Sequence, residues 1–197
     1  MNKIIIATFS NIKEEIPNDD KVIKIDLYDF KYSGKTLLNP QWPENYYRAI
    51  KVMANESDGI EKYESLKYIL IDIDEQIVRE LMNSKIPVIF MIPRNCISLV
   101  DDSYENIGLA LERTKKYYDS CLDWMRELDM PILYVDCPIK KVLDRDSTYN
   151  YLNHLYDNVQ TYRFGAEICI DDLDTAFDTT IKSDNTAHYS LVDDTHS

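Results

Sequence analysis

The sequence predicts an α/β fold: a three-layer, doubly wound parallel sheet over residues 1–165, followed by an irregular acidic tail over 166–197. Three observations predict it. A chain of 197 residues is the size of one ordinary domain. Five short runs of β-branched and other apolar residues lack the alternation of a half-exposed strand, so they read as strands covered on both faces. Amphipathic segments of helical period lie between them, and in such folds ligands bind beyond the carboxyl ends of the strands. That rule places a site near residues 7–13, 26–29, 72–75 and 93–94.

The first run is Lys3-Ile-Ile-Ile-Ala-Thr-Phe9. The crossover after it is stunted, because Pro17-Asn-Asp-Asp20 is a turn cluster that leaves only residues 11–16 for helix, about a turn and a half. The second run is Lys21-Val-Ile-Lys-Ile-Asp-Leu27 and the third Tyr68-Ile-Leu-Ile-Asp72. Pro87-Val-Ile-Phe-Met-Ile92 is the fourth, and Pro131-Ile-Leu-Tyr-Val-Asp136 the fifth. Helices are expected over 44–54, 75–83, 104–128 and 140 to about 162. In the first of these, Pro43 and Glu44 suit a helix start, and Trp42, Tyr46, Tyr47 and Ile50 form a stripe for core packing or base stacking. In the last, Tyr149, Leu152, Leu155, Tyr156 and Val159 make one apolar face. The chain has 15 tyrosines, a residue suited both to interfaces and to half-buried positions.

The excess of 35 acidic over 22 basic residues, a net charge of −13, repels phosphate backbones and anionic lipid, so neither nucleic acid nor membrane is an expected partner. No apolar run reaches the ~18–20 residues of a membrane span or forms a signal peptide, and a soluble, unexported protein is expected. Cys96, Cys121, Cys137 and Cys169 have neither zinc spacing nor a disulfide framework, which suits reduced thiols in a cytoplasm. His154, His188 and His196 are read as solvated rather than metal-binding.

A phosphate-binding loop needs glycines after a strand so that backbone N–H groups can approach the anion. Tyr28-Asp-Phe-Lys-Tyr-Ser-Gly34-Lys35-Thr36 has the Gly-Lys-Thr ending but Asp29 at the first glycine, and Asn39-Pro40 prevents a long helix after it. Ala7-Thr-Phe-Ser-Asn-Ile12-Lys13-Glu14 stands in the right place after the first strand, without either glycine. There Glu14 replaces the magnesium-binding hydroxyl and would repel phosphate by several kcal/mol where poorly solvated. Asp72 and Asp74 end the third strand: Asp72 is a candidate metal carboxylate, and Asp74 is read chiefly as the cap of the helix at Glu75. No Ser-His-Asp, Cys-His or H-E-x-x-H pattern is present.

Asn39-Pro-Gln-Trp-Pro-Glu-Asn-Tyr-Tyr-Arg-Ala-Ile50, with Asp26 at the end of the second strand, Lys67-Tyr-Ile-Leu-Ile71 and Ile86-Pro-Val-Ile-Phe-Met-Ile-Pro93, resembles a family of small P-loop nucleotide-kinase-like proteins of bacteriophages. The resemblance covers about two thirds of the chain, to about Leu128, and fails at the phosphate loop. It implies a P-loop kinase-like fold. It also implies, were the chain active, Lys13, Lys35 and Thr36 as cofactor-binding residues, Asp72 on magnesium, and Arg94 and Asp26 as catalytic groups. Arg94 reads equally as a strand-end partner of Asp101 or Asp102, and residues 112–116 as a solvated helix face. The expectation is a catalytically degenerate phage protein with no cofactor, acting through contacts with other phage proteins as a virion or assembly component, in the host cytoplasm or the virion. An ATP- and magnesium-dependent nucleotide or metabolite kinase is the alternative. A nucleotide-binding anti-defence module is the third reading.

From about Asp171 the composition turns to Asp, Thr, Ser and Asn. Its six larger apolar residues, at ~1.5–3 kcal/mol each, cannot offset the ~1–2 kcal/mol per residue that ordering a backbone costs. The tail is therefore expected to add little stability, and to bury Phe177, Tyr189 and Leu191 against another chain or the domain surface.

Overall fold

A computed structural model describes residues 3–17, 19–25, 31–32, 35–36, 65–101, 103, 105–135, 138–158 and 167–169. Six strands form one parallel sheet in the order β2-β5-β1-β6-β7-β8, flanked by helices, and β3 and β4 form a separate two-stranded sheet. These strands are β1 (Ile4–Thr8), β2 (Val22–Ile25), β3 (Lys31–Tyr32), β4 (Lys35–Thr36), β5 (Tyr68–Asp72), β6 (Ile89–Pro93), β7 (Ile132–Val135) and β8 (Glu167–Cys169). The chain divides into two units, residues 1–89 and 90–197. The helix expected over 44–54 lies outside the described residues, as do Asp26, Phe177, Tyr189 and Leu191.

In the first unit every residue of β1 and β5 is buried, as unalternating runs covered on both faces require. They pair in parallel with Ile4 opposite Tyr68 and Thr8 opposite Asp72, and β5 pairs on its other side with β2. As an edge strand, β2 buries only Val22 and Ile25. The crossover helix α1 (Ser10–Glu14) has five residues, short as the turn cluster dictates. Within that cluster the Asp19 carboxylate accepts the amides of Lys21 at 2.7 Å and Val22 at 2.9 Å, closing the turn that launches β2. After β5, Asp74 caps α2 (Glu75–Asn83) by accepting the Ile77 amide at 2.9 Å, and Ile77, Val78 and Leu81 are the helix's buried face. The helix stops at Lys85, whose φ of 60° lies in the left-handed region, with its amide donated to the Met82 carbonyl.

In the second unit β6 pairs in parallel with β7, and β7 with β8. A 3-10 turn (Ile97–Leu99) follows β6 and packs against α3 (Ile107–Glu127), which Asn106 caps through the Leu109 amide. Ala110, Tyr118, Cys121 and Met125 are the buried side of α3. The Tyr118 hydroxyl donates to the Pro93 carbonyl at 2.6 Å, and Trp124 meets Phe90 edge to face at 5.7 Å.

Two expectations need correction here. The single helix expected from 140 is two, α4 (Ile139–Leu143) and α5 (Asp146–Asp157), with Arg145 extended between them. Ile139, Val142 and Leu143 are the apolar side of the first and Thr148, Tyr151, Leu152 and Leu155 lie on that of the second. At 100° per residue these stripes are about half a turn out of phase, so one straight helix cannot bury both. The sheet also has a sixth strand, β8, beyond the expected boundary at 165. Its Glu167 is buried because the Arg126 guanidinium reaches it at 2.7 Å and the Tyr134 hydroxyl at 3.1 Å.

Candidate functional site

The carboxyl ends of β1, β2 and β5 bring together residues that are distant in sequence. Lys13, on α1, points its ammonium into this corner, with its side chain only 1% exposed. Nζ lies 2.8 Å from Asp72 Oδ1 and donates to the Ile25 carbonyl at 3.1 Å. The Asp72 side chain is 9% exposed and accepts a second hydrogen bond, 2.7 Å, from the Ser10 hydroxyl on the solvent side. Thr8 stands opposite Asp72 in the ladder, so the two side chains share one face of the sheet. Its Oγ1 is fully buried without a hydrogen-bond partner, a condition that costs about 1–3 kcal/mol.

The topology explains the cluster. β5 lies between β1 and β2, which puts the end of each beside Asp72. Only Phe9 separates β1 from α1, so the chain turns at once and lays Lys13 back over the strand ends. Two amides of this turn are bonded, Ile12 to the Asn11 side chain at 2.9 Å and Lys13 to the Phe9 carbonyl at 3.1 Å. A buried ammonium and a buried carboxylate neutralise each other, and the carbonyl and hydroxyl supply further hydrogen bonds to them.

Of the residues expected at a site, Lys13 and Asp72 meet here. Lys35 and Thr36 form β4, opposite Tyr32 and Lys31, in the small antiparallel sheet. Arg94, in the second unit, is exposed and donates to the buried Cys169 sulfur. Asp101, one of its expected partners, instead accepts the Ser103 amide; hydrogen bonding from the Ser103 side chain first, and from that amide second, holds the Asp101 carboxyl below its usual range. Asp102, the other, lies outside the described residues. Lys115 pairs with Asp119 one turn along α3, both exposed, as a solvated helix face would. Sequence reasoning placed Thr8 and Ser10 inside the expected site region of residues 7–13 without giving either a role; for Ser10 the usable signal was a hydroxyl two residues after the first strand.

Among the described residues no three His, Cys, Asp or Glu side chains are grouped to hold a metal, and no helix is long and apolar enough to cross a membrane. Comparison with family models, curated proteins and solved structures finds no match to this chain.

Proposed function

We propose that this chain is a catalytically degenerate P-loop kinase-like protein of phage type that acts through contacts with other proteins, as a virion or assembly component. The observation that carries this reading is the commitment of Lys13. In a working phosphate loop the lysine reaches a phosphate and the strand-end carboxylate serves the metal; here the two are paired with each other, and the lysine is buried. Magnesium nucleotide does not fit this donor set. Binding it would require separating a buried ion pair, and no glycine stands at the start of the five-residue α1 to let its amides approach a phosphate closely. Among the described residues, the Thr8 hydroxyl is the one buried polar atom of the corner left without a partner. A Lys13 ammonium held by Asp72 and a backbone carbonyl works as a structural clamp, which leaves surface contacts as the route to function.

Calorimetric titration of the full chain with ATP and magnesium tests this. No saturable heat at sub-millimolar nucleotide is the expected result. Saturable binding that is lost in Lys13→Ala or Lys35→Ala, with fold retained by circular dichroism, would overturn it. Phosphoryl turnover would then assign a kinase, and binding without turnover a nucleotide-sequestering module.

A further inference from the structure

The second unit carries an open groove of about 300 Å³ between the 3-10 turn and the first half of α3. Its apolar lining is Leu99 from the turn with Leu109 and Ala110 from the helix, and Leu109 is 42% exposed, so one wall presents a large side chain that packing has not covered. The same lining holds one anion and one cation, Asp101 and Arg113, both exposed. No ion pair joins the two, and Arg113 has neither an ion-pair nor a hydrogen-bond partner among the described residues. The Asp101 carboxylate accepts the Ser103 amide at 2.9 Å. Hydrogen bonds from Ser103, side chain first and amide second, hold that carboxyl below its usual range, so both groups are charged at neutral pH.

We propose that this groove binds a free α-amino acid with an apolar side chain. Opposite charges that line one small groove without pairing leave a place between them for a ligand carrying the complementary two, a carboxylate for the Arg113 fork and an ammonium for Asp101. An α-amino acid holds both groups on one carbon, whereas the charged ends of an extended peptide lie too far apart to enter together. At about 300 Å³ the groove is at the small end of ligand pockets, which run from roughly 300 to 1,000 Å³, so it suits a metabolite rather than a chain segment. The net charge of −13 selects in the same direction. It repels a ligand that carries only the carboxylate, while a zwitterion escapes that cost, and a simple amine would meet the unpaired Arg113. The ligand's side chain would lie on Leu99 and Leu109, where mutual burial supplies the apolar contribution. This goes beyond the reading of the first unit and is independent of the Lys13 clamp.

Titration of the ¹⁵N-labelled full chain with L-leucine, followed by NMR of its amides, tests it. Saturable shifts over residues 109–114 are the expected result. N-acetyl-L-leucine lacks the ammonium and L-leucinamide lacks the carboxylate, and each should bind about tenfold more weakly, because hydrogen bonds between charged groups are the strong ones. Glycine, with both charges and no side chain, should be weaker by about the same factor. Asp101→Asn keeps an oxygen for the Ser103 amide, and Arg113→Gln alters an exposed position, so both variants should retain the parent's urea midpoint while losing about tenfold in leucine affinity. No saturation by about 10 mM leucine, an order of magnitude above the usual millimolar ceiling for small metabolites, would overturn the proposal. So would a blocked leucine or glycine binding as tightly as leucine, or a leucine affinity unmoved by both substitutions.

Discussion

Replacing Asp72 by asparagine removes the charge that Lys13 depends on and keeps the side chain's size. The ammonium would remain 1% exposed and still donate to the Ile25 carbonyl, and the Ser10 hydroxyl would lose its anionic acceptor. Breaking a buried pair from one side costs about 3–5 kcal/mol, because the surviving charge is still desolvated. For a chain of this length each kcal/mol lowers the melting temperature by about 2–4 °C, so Asp72→Asn should melt roughly 6–20 °C below the parent. The double substitution Lys13→Met with Asp72→Leu removes both charges and fills similar volume, and should recover most of the loss. Urea unfolding followed by tryptophan fluorescence and far-UV circular dichroism measures both variants. A loss under about 1 kcal/mol in Asp72→Asn would refute the reasoning, since that is the behaviour of a solvent-screened pair. A double variant as unstable as the single would refute it too, by showing that packing around the two side chains matters more than their charges.

Asp74→Ala should cost about 1 kcal/mol, the usual worth of an N-cap, seen as a lower urea midpoint at unchanged slope. Burial pushes the Tyr134 and Tyr156 phenols up to about 12, first by desolvation and then by the neighbouring Glu167 and Asp157 carboxylates respectively. Unfolded tyrosine ionises near pH 10, so between about pH 10 and 12 the unfolded chain releases protons that the folded one retains, and stability falls through that window. The two phenols should contribute on the order of 2 kcal/mol apiece by its upper end, and Tyr134→Phe and Tyr156→Phe should each flatten the decline measured by urea unfolding.

Strands were the legible part of this sequence because burial on both faces leaves a local mark: Ile4-Ile-Ile and Tyr68-Ile-Leu-Ile admit few other readings. The stunted α1 was equally plain, since Pro17 and the acids after it close off any longer helix. The break at Arg145 was hidden because both sides of it have helical period; only their relative phase separates them, and phase matters only once a sheet is there to be covered. β8 was missed for its brevity: three residues containing a glutamate carry no strand pattern, and the partners that let Glu167 be buried, Arg126 and Tyr134, lie on α3 and β7. For the site, Lys13 and Asp72 were each visible as candidates, but their pairing was not. It depends on β5 lying beside β1 with Thr8 opposite Asp72, a register that no local pattern specifies.

The placement of β5 between β1 and β2 also sets a timetable. Both earlier strands leave the ribosome with no main-chain partner in each other, and the strand that joins them is synthesised roughly 40 residues after β2, about 2–8 s later at ordinary elongation rates. Through that interval the fully apolar Ile4–Ile6 run has nothing to pair with in its own sheet, and it is the part of the nascent chain most open to capture by a holding chaperone or by a neighbouring chain. The arrival of residues 68–72 then completes two ladders and the Lys13 clamp in one event, so the first unit should assemble late and all at once rather than strand by strand.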